Sequence, residues 1–357
     1  MKIFERHLAR EIYGATLLVL AAFLMLFSFF DLIYEFESIG KGGYQLQHAL
    51  LYVLLLVPGR AYELFPVAVL IGSLYALTQL ARHSEITVLR TSGAATPAFL
   101  RALVKIGIPF VLATFLIGEV LAPVAEKTAQ QVRLTAMSQL VAQEFRTGLW
   151  VKDDKAFVNI RETTSEGGLR GVRIYQFDQN FELQTISEAE SGEFRAPDIW
   201  ALRNVARTTL RGDGASIEHL PDLSWQSSLN PDILSVLMVN PERMSIDRLY
   251  RYIEHLSANQ QKTDRYEIAL WKKLIYPLAC LVMMALALPF AYLQDRMGAV
   301  GIKVFAGIML GVIFNMLNGL FSSLGMLNDW APFVSAITPS ALFVLTASVM
   351  LWWSERR

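Results

Sequence analysis

The sequence predicts an α-helical membrane protein with six transmembrane helices, three on each side of an inserted all-β, jellyroll-like domain. Three observations predict it. Of 357 residues, 54% are hydrophobic and only 18% charged, with a mean hydropathy of +0.37, more apolar than an ordinary soluble chain. Six runs are long and apolar enough to cross about 30 Å of hydrocarbon, which takes roughly 20 residues each. Between the third and fourth runs lie about 150 residues in which short stretches alternate with period two and are parted by turn residues.

The first run, 12–32, follows the basic start "MKIFERHLAR". Its apolar stretch of about 20 residues exceeds the 7–15 of a signal-peptide core, and no small-x-small cleavage site follows it, so an uncleaved span is expected. The second run is 64–80. Ahead of it, "HALLYVLLLVPGRAYELFP" is apolar but interrupted by Pro58, Gly59 and Pro66. The residue before a proline resists the α region, which predicts an interfacial or re-entrant helix over 47–57 and a kinked lead into the span.

After the second run comes "ARHSEITVLRTSGA", too helical for a turn between spans. Ser84 suits an N-cap, Glu85 sits where the helix dipole favours an anion, and Arg90 falls in the last turn of a helix over 84–92. Gly93 can supply a left-handed end, and Ile86 and Leu89 form a small apolar face. Such a helix suits either docking into a groove on a soluble partner or lying on lipid headgroups.

The third run, 103–121, leads into the β region, where "KAFVNIRE", "GVRIYQFD", "ELQTISEAES", "IWALRNVAR" and "LSWQSSL" are the expected strands. An amphipathic helix then returns the chain to the membrane, with Ser245 as its cap and Ile246, Leu249, Ile253 and Leu256 on one face. Runs 274–293, 304–324 and 333–352 complete the set. The expected divisions are 1–123, 124–264 and 265–357.

Short-loop Lys and Arg set the orientation. Lys2, Arg6 and Arg10, then Arg82 and Arg90, then Arg296 and Lys303, and finally Arg356 and Arg357 lie on one side, with only Lys41 in the first loop opposite. Both termini are therefore expected in the cytoplasm and the β domain outside it. Lys272 and Lys273 fall on the wrong side, but they flank a large domain, where the rule is weak.

The net charge is zero, so no basic field points to nucleic acid. No GxxxxGK[ST], HExxH, CxxC or GxSxG occurs, the single cysteine, Cys280, lies in an apolar run, and His7, His48, His83, His219 and His255 lack ligand spacing. No catalytic residue, bound cofactor or metal site is therefore expected.

Charges near the spans are the candidate site. Glu119, in "LIGEVLAP", either pairs with a basic residue on a neighbouring helix or reaches the interface, and Lys105 is expected to snorkel. Lys41, Arg60 and Arg133 lie near outer span ends. They either anchor spans to headgroups or together line the mouth of a site for a phosphorylated amphiphile. The fifth span holds Gly307 and Gly311 in a GxxxG pair, followed by Asn315 and Asn318. That face packs within the bundle or closes against another subunit and can part.

"SEITVLRTSG", "GEVLAP", "GLWVKD" followed by "FVNI", and "RYEIALWKKLIYPL" resemble motifs of the lipopolysaccharide export permease family (LptF/LptG), and "GLWVKD" is more like its G-type members. The resemblance covers nearly the whole chain. It implies a non-catalytic inner-membrane subunit of a Gram-negative bacterium, paired with an F-type sister around a cavity that takes lipopolysaccharide from the outer leaflet. It implies a cytoplasmic ATPase dimer (LptB-type) using ATP and Mg, docked on the helix of Ser84, Glu85, Ile86, Leu89 and Arg90, with Glu85 as the main polar contact. A single-span accessory protein (LptC-type) at a lateral gate and a periplasmic bridge (LptA-type) reached through the β domain are implied as well. Gates between first and fifth spans give "GIMLG" a role.

One departure stands out. Members of the family it resembles often carry lysines near the outer end of the first span, whereas this chain has "FFDLIYEFESIGKGG", with Asp31, Glu35 and Glu37 and only Lys41 basic. Phosphate contacts then move to Arg60 and Arg133, or metal ions bridge carboxylates and phosphates, or the lipid's charge pattern differs. Two other function classes remain in view. A membrane scaffold relaying signals to the β domain needs no lipid site, and a secondary transporter usually shows broken helices in repeated halves.

Overall fold

The computed structural model describes residues 2–41, 43–91, 96–136, 148–153, 156–163, 168–178, 182–195, 199–211, 214–227, 229, 241–292 and 300–356. Its first half contains α1 (Lys2–Phe36), α2 (Leu46–Arg82), α3 (Glu85–Thr91), α4 (Thr96–Leu116), a π-helical turn (Ile117–Leu121) and α5 (Ala122–Ala136). Strands β1 (Leu149–Asp153), β2 (Ala156–Thr163), β3 (Leu169–Phe177), β4 (Leu183–Arg195), β5 (Ile199–Arg211) and β6 (Gly214–Gln226) follow. A 3-10 turn (Pro241–Arg243), α6 (Ile246–Ala258), α7 (Asp264–Ile275), a second 3-10 turn (Tyr276–Leu278), α8 (Ala279–Tyr292), α9 (Val300–Leu327) and α10 (Pro332–Arg356) complete the chain. Among the described residues six helices are long and apolar enough to span a membrane, and the predicted fold class is the observed one.

The second span differs from its prediction. No separate helix over 47–57 exists, because α2 runs unbroken for 37 residues, about 55 Å at 1.5 Å per residue, straight through Pro58 and Pro66. Prolines are tolerated in a span when neighbours satisfy the backbone they disturb. Here the Tyr276 hydroxyl donates to the Glu63 carbonyl at 2.6 Å, next to the Tyr62 carbonyl that Pro66 leaves without its helical donor. Every residue from 64 to 74 is buried, so α2 is the axis of the bundle, with α1, α5, α8 and α9 packed around it. Its core partners include Leu8 and Ile12 of α1, Phe99 and Phe110 of α4, Met283 and Leu286 of α8, and Phe314 of α9.

The third span is also longer than predicted, running Thr96–Arg133 with the π turn inside it. The fourth starts at Asp264, ten residues before the predicted 274, and Pro277 tightens it into the 3-10 turn. Its predicted last residue, Leu293, and Arg296 lie outside the described residues.

The inserted domain is one six-stranded antiparallel sheet whose neighbours follow sequence order, β1 through β6. Among the described residues that is a meander, without the crossovers of two Greek keys. It covers its own face by bending. Arg161, Gly171, Glu190, Asn204 and Pro221 fall opposite one another on five successive strands, yet no ladder pairs them. Gly171 (φ 64°) and Asn204 (φ 56°) take the left-handed conformation at this row, which interrupts the ladder without shifting its register. Val158, Ile160, Val172 and Val205 on one side of the row, and Leu169, Trp200, Leu202 and Trp225 on the other, share a single buried core.

The sheet is fastened to the bundle through α6. Ser245 caps α6 by accepting from the Arg248 amide at 3.4 Å, and Leu249, Tyr252 and Leu256 are buried while Ile246 and Ile253 are half-buried. The Lys152 ammonium donates to the Asn259 carbonyl at 3.2 Å, and Ser227 donates to the buried Asp153 at 2.5 Å. His255, stacked beside Tyr252, is held below the ordinary histidine range by burial, partly offset by the charge of Asp153. "GLWVKD" therefore ties the domain to its base.

Candidate functional site: charge pairs at the two ends of the bundle

At the sheet end, Asp31 and Glu35 stand one turn apart on α1 and so face the same way. Asp31 accepts from both Arg60 Nε at 3.0 Å and Nη2 at 2.7 Å, a two-pronged pairing that the planar guanidinium favours. Arg60 Nη1 also reaches Glu63 at 3.2 Å. Arg243, in the 3-10 turn, continues the chain of charge, 3.8 Å from Glu63 and 2.8 Å from Glu126 of α5. One turn along α1, Glu35 is only 2% exposed and faces Arg133 Nε at 3.4 Å. The Tyr44 hydroxyl donates to Glu35 at 3.0 Å, and burial, then the Glu35 charge, raise that phenol's pKa so that it stays a donor. Arg133 lies 5.4 Å from the centroid of the Tyr52 ring.

Of the three candidate phosphate contacts, Arg60 and Arg133 thus lie on adjacent turns of one α1 face, each on a carboxylate. Lys41 is exposed in the following loop, as is Glu37. The structure does not present them as three open cations. Among the described residues no group of three or more Asp, Glu, His or Cys side chains is placed to hold a metal ion.

A second polar junction joins the spans to α6. The π turn carries Glu119, whose two oxygens accept the Ile246 amide at 3.0 and 3.1 Å, at the start of α6. Lys273 of α7, 6% exposed, lies 3.8 Å from Glu119 and donates to the Met244 carbonyl. Lys272 beside it pairs with Glu242 at 2.7 Å. Glu119 therefore pairs with a neighbouring helix, the first of its two sequence readings, and the two lysines that defied the charge rule are structural ties.

At the other end, which holds the termini of α1 and α10, α3 projects from α2. Glu85 is 39% exposed, and its nearest basic partner is His7 Nε2 of α1 at 3.5 Å. Ile86 is buried in the main core, whereas Val88 is 63% exposed. Ile86 is thus an anchor for α3 and is not offered to a partner, a correction to the predicted docking face. Ser84 marks the helix start, its carbonyl accepting the Val88 amide at 2.9 Å, but its φ of 62° is not the extended backbone of an ordinary cap. The side chains of Leu89 and Arg90, and residues Ser92 and Gly93, lie outside the described set. Lys105 reaches Glu5 of α1 at 3.3 Å.

The glycine pair of α9 faces α2. A Cβ at Gly307 would come 2.5 Å from Leu74 Cδ1, and one at Gly311 would collide with Val67. That face is filled by the chain's own central helix, which corrects the reading of it as a surface that parts from another subunit. Asn318 donates to the Phe314 carbonyl at 3.0 Å, and Asn315 is exposed. The exposed stripe of α9 is instead Phe305, Met309, Val312 and Met316.

Sequence reasoning missed Glu63, Glu126 and Arg243. Their signal was the one that singled out Arg60, charge at the margin of an apolar run, but the pairing depends on which turns meet.

Compared with known proteins, the chain matches the family described as "Lipopolysaccharide export system permease LptF/LptG" over residues 6–353. It is 31% identical over 351 residues to the lipopolysaccharide export system permease protein LptG of Haemophilus influenzae, covering 98% of this chain and 97% of that one. To the LptG protein of Escherichia coli K12 it is 31% identical over 358 residues, covering 99% and 98%.

Proposed function

Because the chain belongs to the lipopolysaccharide export permease LptF/LptG family, we propose that it is the G-type permease subunit of an ATP-driven lipopolysaccharide exporter in the inner membrane. It pairs with an F-type sister, and the two enclose a cavity open to the outer leaflet. The termini and α3 face the cytoplasm, and the bent sheet stands in the periplasm, in accord with the Lys and Arg bias of the short loops. This chain binds no nucleotide. An ATPase dimer of LptB type uses ATP and Mg and docks on α3, where Glu85 and the exposed Val88 are available to it.

Closure of the ATPase pushes the cavity walls together. Force passes from α3 to the bundle through Ile86, and from the bundle to the sheet through Glu119, Lys273 and α6. The lipid rises along the sheet, whose bent face is apolar, and leaves toward an LptA-type bridge. An LptC-type helix inserts at a lateral gate, where the exposed stripe of α9, not its glycine pair, meets the sister subunit. Arg60 and Arg133 receive the lipid phosphates, with Lys41 nearby.

The observation that carries this reading is the match along nearly the whole chain, laid over six spans with the sheet inserted after the third. The test is reconstitution of the subunit with its sister, accessory and ATPase partners in proteoliposomes. Labelled lipopolysaccharide should pass to a periplasmic acceptor on ATP addition. A complex that assembles and hydrolyses ATP without transferring lipid would overturn the proposal.

A further inference from the structure

We propose that Asp31 and Glu35 are built-in stand-ins for lipid phosphate, which hold Arg60 and Arg133 between transport cycles and compete with the lipid for them. The inference rests on the permease reading above. A guanidinium offers the same planar donor fork to a carboxylate as to a phosphate. Arg60 spends that fork on Asp31, with Nε and Nη2 both engaged, and a further nitrogen on Glu63. Arg133 faces Glu35, which is almost wholly buried and is also held by the Tyr44 hydroxyl.

Two consequences follow from that geometry. A lipid phosphate can take either arginine only by displacing a carboxylate already in place, so capture is an exchange of one anion for another. When the lipid leaves, the carboxylate returns, and neither arginine is left bare to recapture it. Asp31 and Glu35 also hold the sheet end of α1 against α2 and α5. Exchange therefore loosens that end of α1 from its own bundle while lipid is present. The carboxylates are positioning residues, since they act on the lipid only through the arginines.

The test uses the full complex with its partner subunits and labelled lipopolysaccharide. D31N and the double variant D31N/E35Q should retain about tenfold more lipid after purification, because a neutral amide competes poorly for a guanidinium. They should also release it more slowly on ATP addition, while D31E restores parent behaviour. The gain should vanish with lipopolysaccharide stripped of its headgroup phosphates. Millimolar inorganic phosphate should not displace the intact lipid, and displacement would point to a site for the free ion and overturn the lipid assignment. If D31N and D31N/E35Q assemble but retain lipid at or below the parent level, the stand-in role is overturned while the permease reading stands. A parent complex that neither retains nor transfers the lipid overturns both.

Discussion

The sheet end and the terminal end of the bundle carry charge in opposite ways. At the sheet end Asp31, Glu35, Glu63, Glu119 and Glu126 each meet an Arg or Lys from another element, several of them largely buried. At the terminal end α3 is seven residues long, and among the described residues Glu85 is paired with a partly exposed histidine at 3.5 Å. A buried charge left without its partner is strongly destabilising, whereas an exposed pair contributes little. The sheet end thus holds together from within this chain, and the terminal end leaves a polar side chain in reach of another protein.

The sharpest way to break the comparison is K273M, which leaves Glu119 at a largely buried junction with only an amide partner. It should cost about 3–5 kcal/mol, read as a lower midpoint in chemical denaturation followed by tryptophan fluorescence. An equally stable variant would mean that the sheet end is not ionically tied. G311L tests whether α9 is fixed to α2. It should cost about 1–3 kcal/mol through its collision with Val67, seen as a lower Tm in detergent.

His255 gives the sheet end a pH dependence. Its pKa is depressed in the folded state, so the unfolded chain binds the proton more readily. This contribution is fully present above the ordinary histidine value of about 6.5 and is lost as pH falls through that value toward the folded one. Limited proteolysis at the α6 base should accelerate between pH 7.5 and 5.5, and H255F should flatten the change. The smallest effect on stability belongs to E85R, within about 0.5 kcal/mol, since the site is partly exposed. Its effect on assembly should be large, with co-purified ATPase falling about tenfold. An intact, fully active complex would remove Glu85 from the docking surface.

Hydrophobic runs made the six spans legible, and turn residues parted four of the six strands cleanly. Length was less legible. A helix does not stop where hydrocarbon does, so α1, α2 and the third span outrun the apolar windows that revealed them. Pro58 and Pro66 misled because local propensity counts for less when surrounding helices satisfy the backbone, as Tyr276 does for Glu63. Arg60, Arg133 and Glu119 were found by the oddity of charge near a span, yet their partners were hidden, since pairing is decided by helix phase and contact. The glycine pair was legible as a close-packing face, but which helix it meets is a tertiary fact.

That phase is set at one place. The π turn of Ile117–Leu121 adds a residue to the third span, and each residue turns a helix by about 100°. Glu126 and Arg133, seven residues apart and so nearly on one line, lie beyond it. A third span regularised by deleting one residue of the turn would keep its composition, its hydropathy and its length to within about 1.5 Å. It would also rotate α5 away from Glu35 and Arg243 together. The charge map of this end of the molecule is therefore indexed like a dial, and a single irregular turn sets the zero.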